Sequence, residues 1–536
     1  MSTVDPVSSL GASVAEACRQ AGGEPSPALR LERPPKPEMG DYSSNAAMVL
    51  AGSLGRPPRE VAEELAAAIL GDLGEDLAGI EVAGPGFLNL FLSDSWYRRA
   101  VDSLSGIGAP PVPPDPDPRK VMVEFVSANP TGPLTAASGR HAAYGDAVAR
   151  LLDATGHQVM TEYYVNDGGS QVEKFGESIE ASFEGREPPE GGYRGDYIAE
   201  LAERARAEAV PTDELGAEAV GWMLERIASS LEAFGVGMDG FFSERSLYRS
   251  GRVEAGLERL RESGHTYESD GALWLRTTEF GDDKDRVLVR SGGEPTYFGA
   301  DVAYHADKLE RGHALLIDVL GADHHGYVAR MSAAVQALGN PPEAFEAQIL
   351  QLIHLVEEGE KTKMSKRAGD IVTLDELIAD VGVDAARFFL LQRSQDHTID
   401  LDLELARRRS SDNPVYYVQY AHARIQSILR KAAAEGSPPA RSVETVPVDP
   451  SEKALIATVL SYPAEVAEAA ERRAPHRICA YSMELAAAFH AFYRDCKVVG
   501  AADPETESSR LALCELTAAT ISSSLALLGI SAPDEM

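Results

Sequence analysis

Apolar positions recur along this chain in two rhythms, and the change from one to the other marks its central element. Residues 121–126, VMVEFV, are an apolar-rich run that predicts a strand, and Pro130, Gly132 and Pro133 then keep the chain out of helix. Beyond that loop Tyr144, Val148, Leu151 and Leu152 fall on one face of a predicted helix that ends at Gly156. The helix N-terminus around residues 134–138 offers unpaired amide donors suited to a phosphate. Residues 158–165 predict a second strand, ending on Asn166-Asp167-Gly168-Gly169. Residues 315–320 and 347–356 predict two more, followed by Gly321-Ala322-Asp323-His324-His325 and by a charged loop over 357–370. Polar residues and glycines at strand ends are where open α/β sheets bind ligands. Thr373 and Glu376 have capping-box spacing, so a helix restarts there.

The flanks carry other patterns. Residues 1–106 form a first unit, with a small-residue helix predicted over 43–54 and stopped by Gly55 and Pro57. A second helix places Val61, Leu65 and Ile69 at four-residue spacing, and 87–92 reads as a strand. Six prolines from Pro110 to Pro118 make residues 107–118 a stiff, extended linker. The central unit spans 119–400, and its charged, partly helical stretch 175–290 is expected to be an insertion outside the sheet. Residues 401–536 are helical: Pro414 suits a first turn, and Val418, Ala421, Ile425 and Ile428 make its apolar stripe.

Composition adds limits. A chain of 536 residues with 44% hydrophobic content can build a core in each of several domains. Its formal net charge of −34 weighs against a polyanionic partner, although a local basic groove can coexist with an acidic remainder. Cys18, Cys479, Cys496 and Cys514 show neither CxxC pairing nor metal-ligand spacing, so no disulfide framework or structural metal is expected. With no leader-like N-terminus and no apolar window of membrane-spanning length, a cytoplasmic protein is expected.

The loop Lys361-Thr362-Lys363-Met364-Ser365-Lys366-Arg367 places four cations within seven residues, between Gly359 and Gly369. Such a loop suits a polyphosphate and the charge that develops as pyrophosphate leaves. Its string KMSK resembles the second signature of class I aminoacyl-tRNA synthetases. SANPTGPL (127–134), GRHAAYGDAVARLL, YYVNDGG, PTYFGADVAYHADK and GADHHGYV resemble the arginyl-tRNA synthetase family. So do GDYSSNAA and VAGPGFLNLFL before them and NPVYYVQYAHARI and FHAFYRDCKVVG after, covering nearly the whole chain in the family's order. The resemblance implies an α/β Rossmann-type parallel-sheet catalytic domain, an α+β N-terminal domain that grips the tRNA elbow, and an all-α anticodon-binding C-terminal domain. It also implies ATP-dependent attachment of L-arginine to tRNA(Arg) by a monomer, with Mg²⁺ arriving on the ATP.

One departure stands out. Where the family has His-x-Gly-His, this chain has Thr135-Ala136-Ala137-Ser138. The family's imidazoles contact ATP phosphates during adenylate formation, and losing one preorganised donor costs ~3 kcal/mol, about a hundredfold in rate. Thr135 and Ser138 keep hydroxyl donors at the same spacing, whereas His141, roughly 4.5 Å further along, is expected on the helix surface. Two accounts follow: a working ligase with a hydroxyl signature, which is favoured, or a weakened paralogue that binds tRNA or arginine. A decayed copy is expected to have lost its arginine pocket, cationic loop or helical domain, and the sequence keeps all three.

By resemblance, Ser127, Pro130, Gly132, Thr135, Ser138, Lys363 and Lys366 face ATP, and Thr135, Ser138, Lys363, Ser365 and Lys366 serve catalysis. Ala128, Asn129, Thr131, Pro133, Leu134, Ala136 and Ala137 complete the first-signature region. Glu124 and Asn129 match residues that hold the α-amino and carboxylate ends of arginine, and His324 matches a further polar contact. Asp301 stands where the family reads the guanidinium, a planar fork that a carboxylate answers bidentately, with Tyr297 packed beside it. A metal held by Asp323, His324 and His325 is disfavoured, because adjacent residues at a strand end point to opposite sides. Tyr416, Tyr420 and Arg424, among Tyr417, Arg407, Arg408, Arg409 and His422, supply stacking faces and cations suited to unpaired tRNA bases.

Overall fold

In the computed structural model, which describes residues 5–26, 28–361 and 372–536, the N-terminal unit is built on four antiparallel strands. They are β1 (Leu31–Glu32), β2 (Tyr42–Ser44), β3 (Leu77–Ala83) and β4 (Phe87–Leu92), in the order β1-β2-β4-β3. Val61, Leu65 and Ile69 are fully buried in the core of this unit, on the face that their spacing predicts. The helix expected over 43–54 starts later, at Ala46, because Tyr42 and Ser44 pair with Leu90 and Leu88 of β4 and extend the chain there.

The central sheet begins with β5 (Lys120–Glu124), β6 (Gln158–Val165) and β7 (Gly240–Ser243). The chain then leaves it for an antiparallel sheet of β8 (Thr266–Ser269), β9 (Ala272–Leu275) and β10 (Arg286–Val289), and returns with β11 (Leu315–Gly321) and β12 (Phe345–Leu350). The five strands are parallel in the order β12-β11-β5-β6-β7. Strand order therefore runs outward in both directions from β5, and the crevice beyond the ends of β5 and β11 is the topological switch point where such sheets take ligands. The stretch 175–290 is not wholly an insertion, since it supplies β7; a four-residue strand between charged helices leaves little pattern in the sequence.

The strand expected over 347–356 is two strands in two sheets. β12 ends at Leu350, and β13 (Ile353–Glu357) pairs with β14 (Glu360–Lys361) and β15 (Ile399–Asp402). Arg140 causes the break: its buried guanidinium donates to the carbonyls of Gln351, Leu352, Ser394, Gln395 and His397, turning the chain where periodicity alone would continue it.

Arg140 belongs to the helix Ala136–Ala154, whose Tyr144, Val148, Leu151 and Leu152 are buried as expected. This helix lies so close to the sheet that a Cβ on Gly145 would stand 2.2 Å from Phe125 Cγ. Gly145→Ala is therefore expected to lose ~1–3 kcal/mol of stability through overpacking, read as a lower denaturation midpoint.

Helices Pro414–Glu435, Pro450–Leu460, Tyr462–Glu471, His476–Asp495 and Pro504–Leu527 build the C-terminal unit, with Val418, Ala421, Ile425 and Ile428 buried. Polar contacts fasten it to the rest, two nodes of arginine among them. Arg98, 0% exposed, donates to the Val446 (3.1 Å) and Pro447 (2.7 Å) carbonyls and pairs with the equally buried Glu452 (3.2 Å). Tyr144 donates to the Arg473 carbonyl (2.6 Å), and the Arg473 guanidinium pairs with Glu346 of β12 (3.0 Å). Among the described residues, no helix is long and apolar enough to cross a membrane.

Candidate active site

β5 ends in a sharp turn. Val126 (φ 68) and Ser127 (φ 39) both adopt the left-handed region, which is unfavourable for any side chain and most of all for a β-branched one. The Ser127 hydroxyl holds the turn by donating to Glu124 (3.0 Å) and accepting the Tyr164 amide (3.0 Å). Ser127, expected at the nucleotide, is thus engaged in joining β5 to β6. Tyr163 donates to the Ala128 carbonyl (2.7 Å) and Tyr197 to that of Thr131 (3.0 Å), and the Tyr197 hydroxyl would lie 3.3 Å from a Cβ on Gly132. Pro130, Thr131 and Leu134 are buried, Gly132 and Pro133 are half-buried, and Asn129 is exposed on the loop.

Thr135 caps the helix Ala136–Ala154: its Oγ1 accepts the Ser138 amide (3.2 Å) and lies 3.2 Å from the Ser138 hydroxyl. The Ala136 amide donates to the Val372 carbonyl (3.0 Å), and Leu374 donates back to Leu134 (2.8 Å). The amide cluster expected around 134–138 is therefore partly consumed. Among the described residues, only the Ala137 amide of the first three has no internal acceptor. The same two backbone bonds bind the first signature to residues 372–374, where Thr373 and Glu376 form the expected capping box. Lys363, Ser365 and Lys366 lie outside the described residues.

The opposite wall is the helix Tyr297–Glu310, capped by Thr296. Asp301, His305 and Lys308 share its sheet-facing side. Among the described residues, no donor reaches the Asp301 carboxylate. Burial, reinforced by Glu124, Glu244 and Asp318 and opposed by His305, pushes its pKa up to about 7. A mostly buried carboxyl in that state is prepared for a cation. Tyr297 does not pack into the pocket, being 78% exposed at the helix start.

Lys308, 0% exposed, donates to Glu124 (2.6 Å) and Asp318 (3.0 Å). Burial pushes the Glu124 carboxyl up and Lys308 opposes it. Burial also disfavours ionised Asp318, but Lys308 and His305 outweigh it and hold that carboxyl well below the usual range. Glu244, at the end of β7, is raised by burial and by Asp167. Half-buried Tyr164 and Tyr327 feel the charges of Asp301 and Glu124 and border the acidic pocket. His324 is 52% exposed in a single 3-10 turn and lies near Tyr327. His141 is half-buried rather than freely exposed on the helix surface, interacting with the Val319 backbone and lying beneath Gly321. Burial and then Arg140 lower its pKa to about 4. It does not reach back to the hydroxyls of Thr135 and Ser138. Among the described residues, no cluster of three or more His, Cys, Asp or Glu has metal-binding geometry.

Sequence reasoning missed Glu244, Tyr327, His305, Lys308 and Asp318. His305 and Lys308 were legible as the four- and seven-residue steps from Asp301 in DVAYHADK. Glu244 was hidden in the stretch assigned as an insertion.

On the C-terminal unit Tyr416 stacks on Tyr420 (6.4 Å), and Tyr420 stacks on His490 (6.0 Å). The Arg424 guanidinium lies over Tyr420 (5.1 Å) and Tyr493 (5.4 Å). His422 belongs to the core, where it bonds the Pro533 carbonyl (3.0 Å). Arg407 is occupied by Glu357 (2.8 Å) and Asp380 (2.6 Å), and Arg408 lies 3.8 Å from Asp412.

Known proteins resemble this chain along nearly its whole length. The family described as Arginyl tRNA synthetase N terminal domain matches residues 8–92. The family tRNA synthetases class I (R), catalytic domain, matches 225–425, and the DALR anticodon binding domain matches 418–536. The arginine–tRNA ligase of Shouchella clausii (strain KSM-K16) is 44% identical over 535 residues, covering 95% of each chain. That of Bacillus velezensis is 44% identical over 537 residues with the same coverage. The solved arginyl-tRNA synthetase of Thermus thermophilus superposes with a TM-score of 0.78 at 26% identity, covering 99% of this chain and 100% of that one.

Proposed function

This chain belongs to the arginyl-tRNA synthetase family, and from that premise we propose how its residues divide the work of arginine activation and transfer. The overall reaction is ATP + L-arginine + tRNA(Arg) = L-arginyl-tRNA(Arg) + AMP + diphosphate. Arginine's carboxylate attacks the α-phosphorus of ATP, releasing pyrophosphate, and a terminal ribose hydroxyl of the tRNA then takes the arginyl group. The observation that carries the reading is the mostly buried Asp301 carboxylate, which no donor among the described residues reaches and which the guanidinium ionises and pairs. Glu124 and Asn129 orient the other end of the amino acid, His324 adds a polar contact and Tyr297 borders the mouth.

ATP enters with Mg²⁺ bound to its phosphate oxygens. The Ala137 amide and the Thr135 and Ser138 hydroxyls face the phosphates, and Lys363 and Lys366 neutralise the charge that departs with pyrophosphate. Ser365 belongs to the same constellation. Tyr416, Tyr420 and Arg424 stack on and charge-match unpaired tRNA bases, while residues 1–106 contact the tRNA elbow. The protein works as a cytoplasmic monomer.

One observation favours the second reading, a weakened paralogue that binds arginine or tRNA: neither Thr135 nor Ser138 is histidine, and Thr135 is occupied as a helix cap. Arginine-dependent exchange of labelled pyrophosphate into ATP, with and without tRNA(Arg), separates the two. Exchange by the wild-type protein is expected. Its absence, with exchange restored by Thr135→His combined with Ser138→His, would establish the paralogue instead.

A further inference from the structure

Asp301, His305 and Lys308 follow one another at helical spacing, and the contacts they make form one continuous buried chain. His305 donates from Nδ1 to the Asp301 carbonyl (2.8 Å) and from Nε2 to Asp318 Oδ2 (3.0 Å). Lys308 Nζ donates to the other Asp318 oxygen (3.0 Å) and to Glu124 Oε2 (2.6 Å). Glu124 ends β5, and Asp318 lies in β11, so the ammonium bridges the two strands that flank the switch point. Tyr304 underlies it with its ring centroid at 4.2 Å. A second brace holds the same helix: Tyr304 donates to Glu162 of β6 (2.8 Å), and Arg311 grips that carboxylate bidentately (2.7 and 2.8 Å). The helix that carries Asp301 therefore cannot slide along the sheet without breaking the buried Lys308–Asp318 pair, a strongly unfavourable event.

We propose that Lys308 is a positioning residue for amino-acid selection: through Asp318 and His305 it fixes the separation between Glu124 and Asp301, and so sets the length of side chain that spans them. The proposal rests on the reading of Asp301 as the guanidinium partner and Glu124 as the partner of the opposite end. Lys308 itself has no exposed surface, and it acts through the Glu124 and Asp318 carboxylates that it holds. A cationic amino acid one methylene longer or shorter meets a pocket whose walls are held apart by an internal ion pair rather than by loose packing. A methylene-sized misfit is worth roughly 10- to 200-fold in kcat/KM where the walls do not yield.

The test compares wild type with Lys308→Met and Lys308→Arg, measuring KM and kcat for arginine, for homoarginine and for ATP in pyrophosphate exchange with tRNA(Arg) present. Both variants are expected to raise the arginine KM and to lower the arginine-to-homoarginine ratio of kcat/KM, each about tenfold, with the ATP KM unchanged. A folded variant whose midpoint falls but whose ratio stays within about twofold of wild type overturns the proposal, because a merely structural ion pair moves stability and not selectivity. If Lys308→Met does not fold, Lys308→Arg decides alone, since it keeps the charge and changes only its reach and shape. Asp301→Asn serves as the control. Loss of arginine use in Asp301→Asn with unchanged selectivity in the Lys308 variants overturns this proposal alone. Retained arginine use in Asp301→Asn overturns the pocket reading and this proposal with it.

Discussion

Asp301→Asn is expected to raise the KM for arginine by roughly two to three orders of magnitude, the usual consequence of removing one partner from a buried charge pair. The arginine guanidinium stays protonated throughout the accessible pH range, so the titrating partner is the carboxyl. In the empty pocket that carboxyl has a pKa of about 7, raised from an ordinary 3.8 by burial and by the neighbouring acids. Arginine pairs only with the ionised form. Its KM in the wild-type protein is therefore expected to fall as pH rises through about 7 and to level off above it, whereas the asparagine variant loses this dependence. The linkage to stability has the opposite sense. An Asp whose pKa is raised in the fold makes the empty protein less stable as pH climbs from 3.8 toward 7, because the unfolded chain gives up its proton first. Bound arginine reverses that loss, so its stabilising effect grows across the same window. Equal arginine KM values for the two proteins at pH 8 would remove Asp301 from the pocket.

Arg140→Met is expected to be the most destabilising single change in the central unit, by ~3–5 kcal/mol in denaturant unfolding. Five carbonyls, of Gln351, Leu352, Ser394, Gln395 and His397, share this guanidinium; those of Leu352, Ser394 and Gln395 also accept the amides of Ile399, His397 and Gln351, so an apolar side chain of similar length takes from Gln351 and His397 the donor they rely on. Burial draws the pKa of Arg140 down to about 10, still far above neutrality, so the clamp remains charged at working pH. Its position gives it a second effect. Arg140 lies two residues beyond Ser138 on the signature helix and grips the junction where β12 passes into β13, the strand that leads toward residue 361. At temperatures where the variant stays folded, the ATP KM is expected to rise about tenfold while the arginine KM, governed by the opposite wall, stays within about twofold. A midpoint equal to that of wild type would mean that the Gln351 and His397 carbonyls find other donors.

Much of this architecture was legible in the residues, and the failures have physical causes. Strands with long apolar runs, β5, β6 and β11, and helices with a single apolar stripe declared themselves, because burial on one face or two leaves a period in the sequence. β7 did not, since an edge strand of four residues needs no such run. β12 and β13 read as one strand because the turn between them is enforced by Arg140, more than two hundred residues earlier in the chain. In the site, Asp301 was legible from its motif, but the buried chain of His305, Asp318 and Lys308 emerges only when the helix lies across β5 and β11. Thr135 illustrates the remaining difficulty. Its type and spacing suggest a phosphate contact, while the fold also uses its oxygen as a helix cap.

The Arg98–Glu452 pair bears on how this protein can be taken apart. A fragment lacking residues 1–106 would leave Glu452 without Arg98 at a site from which water is excluded, with Arg510 (3.2 Å) as its remaining cation. Removal of the helical unit would strand Arg98 in the same way and strip the Val446 and Pro447 carbonyls from it. The two terminal regions, though more than three hundred residues apart in sequence, are in this respect a single part that must be expressed, purified and engineered together.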